Sequence, residues 1–422
     1  MAGPSRQAVR TVKEQVEDEL LGHANVTGVD IGPKIKGGVD TGELSIVVYV
    51  DKKRKTIAAK DRIPETVKGI KTDVQEEVIV LHPAMVRLAD EELMVDPAEY
   101  ATLEGGMSIG PCRAIYLEPP DVPAPGNYIF VGTLGAIVRD KANSAAMMLT
   151  NFHVACVTDT WAVGDDITQP SRVDGGACPS DTVGEITRAV LSENVDGAVL
   201  SLNGDRPFQC SILEIGEVKG TAAAALGMAV RKRGRTTGLT YGSVTSADYT
   251  TTIDYGDGLG SHTLKHQIRI AVDSAKSTQF GNSGDSGSVV VDNNNNVIGL
   301  YFAGTTTGAI GVANPIAAVL SELDIEVCSP KELLKDNLKE FPFEHKWWVK
   351  EIVKEWKEYA LEKFDWESVA FPPDWLVRPP FGPPPGRPPA PGATPFIGRE
   401  LRPDLRRGAL AFEPDVKHRP VR

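Results

Sequence analysis

From residue 127 to residue 327 the chain repeats one pattern. Short apolar or alternating runs follow one another, among them "YIFVGTLGAIVRD", "AAMMLTNF", "TVGEITRAVL", "DGAVLSL", "HQIRIAVD" and "GSVVVDNNNNVIGLYFAG". Gly, Asn and Asp turns separate them, and no long helical period intervenes. Many short strands with such turns must close on themselves as a barrel or pack as a sandwich. With 422 residues and 41% hydrophobic content there is enough chain for two or three compact units around sizeable cores.

The flanks read differently. Residues 6–21 place Val9, Val12, Val16 and Leu20 on one helical face, and Gly22 is a stop signal. The strand-like runs "VTGVDIG", "LSIVVYVD" and "KTDVQEEVIVL" follow, giving a small α/β unit over 1–80. The proline-dotted stretch 81–126 reads as a packed connector to a body at 127–330. In "HKWWVKEIVKEWKEYALEKF", Trp348, Ile352, Trp356, Tyr359 and Phe364 recur at helical spacing, so 331–371 is expected to be a Trp-rich amphipathic helical segment. The proline-rich 372–422 has little to bury and is expected to be disordered.

A net charge of −12 argues against nucleic acid as the main partner. No apolar run approaches the length of a membrane span, and the charged start lacks a signal core. Five cysteines without a CxxC pair indicate neither a zinc ribbon nor a disulfide framework. The expectation is a cytoplasmic protein without membrane contact, cofactor or metal.

Within the β-rich body one stretch carries chemistry. In "FGNSGDSGSVVVD", turn chemistry alone explains the small residues around Ser286. A serine hydroxyl attacks only with a base to take its proton and an acid to hold that base. In "MMLTNFHVAC", His153 follows the end of an apolar strand, at a rim. In "NVDGAVLSL", Asp196 opens an apolar strand, where a carboxylate needs a partner. These three contexts, in the order His, Asp, Ser, resemble the chymotrypsin-like (trypsin-type) serine peptidases over roughly 127–327. The segments "NVTGVDIG", "LSIVVYVDKK", "IPETVKGIKTDV", "GGMSIG" and "GTLGAIVRD" resemble more narrowly the bacterial relatives of the plant narrow-leaf serine proteases.

The resemblance implies a mainly β fold, a double β-barrel, with catalytic His153, Asp196 and Ser286. It implies an oxyanion hole from the N–H groups of Gly284 and Ser286. It also implies that Phe280 stands where the specificity carboxylate of trypsin falls, favouring a small or apolar side chain over Lys or Arg. Phe302 and Gly304, on the strand after the serine, are implied substrate contacts. The expected activity is a serine endopeptidase acting on protein or peptide substrates through an acyl-enzyme. The alternative is a catalytically weak, protease-like scaffold that binds partners through its N-terminal unit and tail. An oligomer and a protein partner for the Trp-rich, Pro-rich tail are expected. No Ile-Val-type terminus near 127 is available to pair with Asp285, which needs another partner. Either 1–80 or 345–376 is expected to pack on the body and restrain the cleft.

Overall fold

The computed structural model describes residues 3–82, 84–88, 95–120, 122–256 and 258–329. The expected Trp-rich segment 331–371, the tail 372–422 and any partner they bind lie outside the described residues. The first helix, Arg6–Leu21, begins where the Ser5 side chain accepts the Ala8 N–H and ends at Gly22. Its apolar face packs Val9, Val16 and Leu20 against Val29, Ile31, Ile46 and Val48. Those four residues lie on the antiparallel strands Val26–Lys36 and Val39–Val50.

This N-terminal sheet continues into the body. Gly28 and Val29 pair with Thr251 and Thr250 of the long strand Gly238–Asp254. Gly28 makes the approach possible: a Cβ there would lie 2.9 Å from the Thr250 carbonyl oxygen. Charged pairs reinforce the join, one of them fully buried. Lys13 Nζ meets Glu17 at 2.5 Å and the Thr250 hydroxyl at 2.7 Å, while Arg6 and Arg10 both reach Asp248. The result is a twelve-stranded sheet that includes 26–76 together with the strands around Ser286.

A second, ten-stranded sheet holds the strands Ala146–Thr150 and Asp196–Ser201. The 81–126 connector carries four short strands: Ala84–Arg87, Leu103–Gly105, Ser108–Pro111 and Ile115–Leu117. The closing helix Ile316–Glu322 leads to the strand Ile325–Val327, which pairs Val138 with Val327. One core joins the two sheets, with Ala136, Leu149 and Val199 meeting Val289, Val297 and Leu300. The fold is therefore mainly β and matches a double β-barrel of trypsin-like type. Among the described residues no helix is long and apolar enough to cross a membrane.

Two sequence expectations change. The run "KTDVQEEVIVL" is not one strand. Ile70–Glu76 pairs in parallel with Val39–Val50, whereas Val80–Leu81 crosses to the strand Asn296–Gly304. Between them Glu77 is held by the Arg269 guanidinium at 3.1 and 2.5 Å, which redirects the chain. The cysteines also form pairs that spacing did not indicate, Cys112–Cys178 and Cys210–Cys328. Their separations of 66 and 118 residues are closed only by the folded sheets, so local motif reading misses them. The argument from unpaired cysteines to a reducing compartment loses its basis. Cys156 is the free thiol among the described residues, and burial pushes its thiol well above the ordinary range.

Candidate active site

His153 sits on the one-turn helix Phe152–Ala155, directly after the strand Ala146–Thr150. That strand pairs antiparallel with Asp196–Ser201, Thr150 opposite Ala198, so the end of one strand meets the start of the other. The register brings His153 Nδ1 within 2.5 Å of Asp196 Oδ2, and the His153 backbone N–H within 3.2 Å of Oδ1. Against a carboxylate, Nδ1 carries the proton and donates it. Nε2 is then left as an acceptor, and in this structure it is buried without a hydrogen-bond partner.

The carboxylate is itself held. Tyr255, just past the strand Gly238–Asp254, donates its hydroxyl to Asp196 Oδ2 at 2.9 Å. Burial and the adjacent Asp196 charge push this phenol well above its ordinary range, so it stays a donor. Asn314 accepts the Asp196 backbone N–H at 3.2 Å, and Asn151 donates to the Asp196 carbonyl at 2.7 Å. Tyr255 and Asn314 come from the twelve-stranded sheet, across from the ten-stranded sheet that carries Asp196. Nothing in the local sequence marks either.

Ser286 lies on the turn before the strand Val289–Asp292. Its carbonyl accepts the Thr133 N–H at 2.8 Å, tying the turn to the ten-stranded sheet. Gly284 and Gly287 flank it at φ 95° and 96°. These are left-handed conformations in which other residues are strained. At Gly287 a Cβ would also lie 2.2 Å from the Thr133 carbonyl oxygen. The Ser286 hydroxyl donates to the Phe302 carbonyl at 3.0 Å and makes no hydrogen bond to His153 Nε2.

Asp285 finds the partner that the sequence left open. Lys232 Nζ lies 2.9 Å from its carboxylate, both side chains fully buried. The backbone N–H groups of Thr236 and Thr237 donate to Oδ1 at 2.8 and 3.0 Å, and the Thr237 hydroxyl to Oδ2 at 2.6 Å. Burial alone would raise this carboxyl. The Lys232 ammonium and the Thr237 bonds outweigh it and hold the group below the ordinary carboxylate range. Lys232 belongs to the basic run "RKRGRTTGLTYG", in which nothing local marks one lysine as an internal counter-ion.

Of the implied oxyanion donors, the Gly284 N–H is already engaged, with the His82 carbonyl at 2.7 Å. Phe280 is fully buried and stands edge-on to Tyr301, ring centroids 5.9 Å apart. Tyr301 is the side chain that reaches His82, its hydroxyl 2.6 Å from Nδ1. The Phe302 ring packs into a core with Tyr49 and Tyr249, so its carbonyl is what faces the site. Gly304 pairs with Val80.

A histidine–carboxylate pair on one sheet and a serine turn on the other, joined across a shared core, are the parts of the trypsin-like serine peptidases, and this chain is similar to them. Residues 275–317 match the family described as Peptidase S7, Flavivirus NS3 serine protease. Over 160 residues the chain is 28% identical to "Serine protease 1" of Streptomyces fradiae, which covers 37% of this chain and 41% of that protein's length. The chain thus spans about two fifths of that curated relative. Among solved structures, Protease A of Thermobifida fusca aligns at 18% identity over 54% of this chain and 99% of its own, with a TM-score of 0.37. The Nocardiopsis protease aligns at 16% identity over 54% and 98%, also with a TM-score of 0.37.

Proposed function

We propose that this chain is a serine endopeptidase. Ser286 Oγ attacks a peptide carbonyl and passes its proton to His153 Nε2. The tetrahedral oxyanion is stabilised by the N–H groups of Gly284 and Ser286. The C–N bond then breaks, the leaving amine takes the proton from His153, and water hydrolyses the acyl-enzyme. Asp196 keeps His153 in the tautomer that accepts.

The observation that carries this reading is the buried His153–Asp196 pair with Nε2 left as a free acceptor. The attacking geometry requires the Ser286 hydroxyl to turn from the Phe302 carbonyl toward Nε2. The buried Lys232–Asp285 pair supports a serine turn already shaped without a new N-terminus.

The test is covalent labelling by a fluorophosphonate probe together with peptide hydrolysis. Both should disappear in Ser286→Ala, with turnover falling on the order of 10⁶-fold. Equal labelling of the two proteins would remove Ser286 from the mechanism, and no labelling in any variant would favour the scaffold.

A further inference from the structure

The strand Asn296–Gly304 ends beside Ser286, and its last residues are paired with the protein's own chain. Gly304 lies opposite Val80 and Ala303 opposite Leu81, antiparallel. His82 continues the run, its N–H donating to the Phe302 carbonyl at 3.3 Å. The Ser286 hydroxyl donates to that same carbonyl, so His82 and the nucleophile are neighbours on one acceptor. The His82 carbonyl accepts the Gly284 N–H at 2.7 Å. The imidazole is 2% exposed, with Nδ1 against the Tyr301 hydroxyl at 2.6 Å.

The surroundings are shaped for that ring. A Cβ on Gly304 would lie 2.9 Å from His82 Cε1, and a Cβ on Gly281 would lie 2.2 Å from the Tyr301 hydroxyl oxygen. Ile79, the residue before Val80, packs with Tyr49, Tyr249 and Phe302. Burial holds the Tyr301 phenol well above its ordinary range, so it donates to a neutral imidazole.

Resting on the peptidase reading above, we propose that residues 79–82 are a built-in substrate mimic. They occupy the cleft as the acyl half of a bound peptide, with the His82 carbonyl in the seat of the carbonyl to be attacked and its imidazole in the side-chain pocket. The substrate class that fits is an extended peptide with histidine immediately before the cleaved bond, and Tyr301 is the residue that selects it. An incoming peptide must displace 79–82. The next residue in the sequence is Pro83, whose nitrogen is closed into a ring and carries no hydrogen. A bond to it is a poor leaving site, which suits a mimic that is held and not consumed.

Binding tests this without reading catalysis. A fluorescent Ile-Val-Leu-His peptide is titrated into full-length Ser286→Ala, Ser286→Ala/His82→Ala and Ser286→Ala/Val80→Pro, each checked for a cooperative melt. The two opened variants should bind at least ten times more tightly than Ser286→Ala alone. Equal affinity in the three, or no binding by any, overturns the mimic. If Val80→Pro does not fold, His82→Ala decides alone. A peptide ending in alanine should bind the opened variants at least fivefold more weakly, and equal binding would remove the imidazole from the pocket. Because Ser286 is absent from these proteins, failure of the peptidase reading shows only in probe labelling of the native chain.

Discussion

In the half of the molecule that carries His153 and Asp196, two ties between loops and sheet are covalent, Cys112–Cys178, and Cys210–Cys328 within the core that also holds Met148 and Ala198; they stand beside the buried Arg235–Asp174 pair. In the half that carries Ser286 no disulfide lies among the described residues, and the ties are ion pairs whose carboxylates are largely buried. Lys232 holds Asp285, Arg269 holds Glu77, and Arg6 and Arg10 hold Asp248. The half with the acid–base pair thus carries two bonds that answer to redox conditions, although the pair itself is held by hydrogen bonds from Tyr255, Asn314 and Asn151. The nucleophile and the strand it shares with 80–82 are secured by groups that answer to pH. It is this second half whose sheet the N-terminal strands have joined.

The comparison is broken most severely at its seam. Asp196→Asn should lower the rate of probe labelling about 10⁴-fold with the fold retained, because an amide favours the wrong tautomer of His153. A variant that labels at near-native rate would mean that another group orients the histidine.

Next in size is Lys232→Met. It leaves Asp285 buried and unpaired, for which about 3–5 kcal/mol of destabilisation is expected in denaturant unfolding, together with loss of labelling. Asp285 also ties this half to pH. Its carboxyl is held below its unfolded value near 3.9, so the stability it contributes is full above about pH 4 and is lost as pH falls below that. A Lys232→Met protein as stable as the native one would show that the Thr236 and Thr237 bonds suffice.

Smaller again is the covalent half. Cys112→Ser/Cys178→Ser should cost about 2–4 kcal/mol, since the bridge closes a long loop in the unfolded chain. Reduction of the native protein opens Cys210–Cys328 as well and should cost more, with Ser286 still labelled at its native rate. A labelling rate that fell with the bridge would tie the two halves more closely than their separate fastenings imply.

What the sequence made legible follows from what was local. The helix at 6–21 announced itself by spacing, and the residues His153, Asp196 and Ser286 by short contexts that each sit at a strand end. What stayed hidden was pairing at long range. Tyr255 reaches Asp196 over 59 residues, Lys232 reaches Asp285 over 53, and His82 reaches Tyr301 over 219. In each case the partner looks like an ordinary strand or turn residue, and only the closed sheets bring it to the site. The redirected "VIVL" run shows the same limit. Alternation marked it as strand, yet the choice of neighbour was made by Arg269 on Glu77 and by the open edge of Asn296–Gly304.

The smallest effect probes the mimic itself through pH. Burial holds the His82 imidazole down at about 4, with the Lys232 charge acting the same way and Asp285 and the Thr305 backbone opposing them. The Tyr301 hydroxyl completes its surroundings. Released into water, a histidine titrates near 6.5. The docked state therefore binds fewer protons than the released one, so docking is fully stable above about 6.5 and weakens as pH falls toward 4. Between pH 7 and 5.5 the weakening is about tenfold, close to one pKa unit of difference between the two states. Hydrogen exchange at the amides of Leu81 and His82 in Ser286→Ala reads this directly, once corrected for intrinsic exchange rates. Protection should drop about tenfold at pH 5.5, and the drop should vanish in Ser286→Ala/His82→Gln, which has no ring to protonate. Protection that is unchanged between the two pH values would show that His82 does not need to shed its proton to dock, and that the strand beside the nucleophile is not held by a pH-sensitive group.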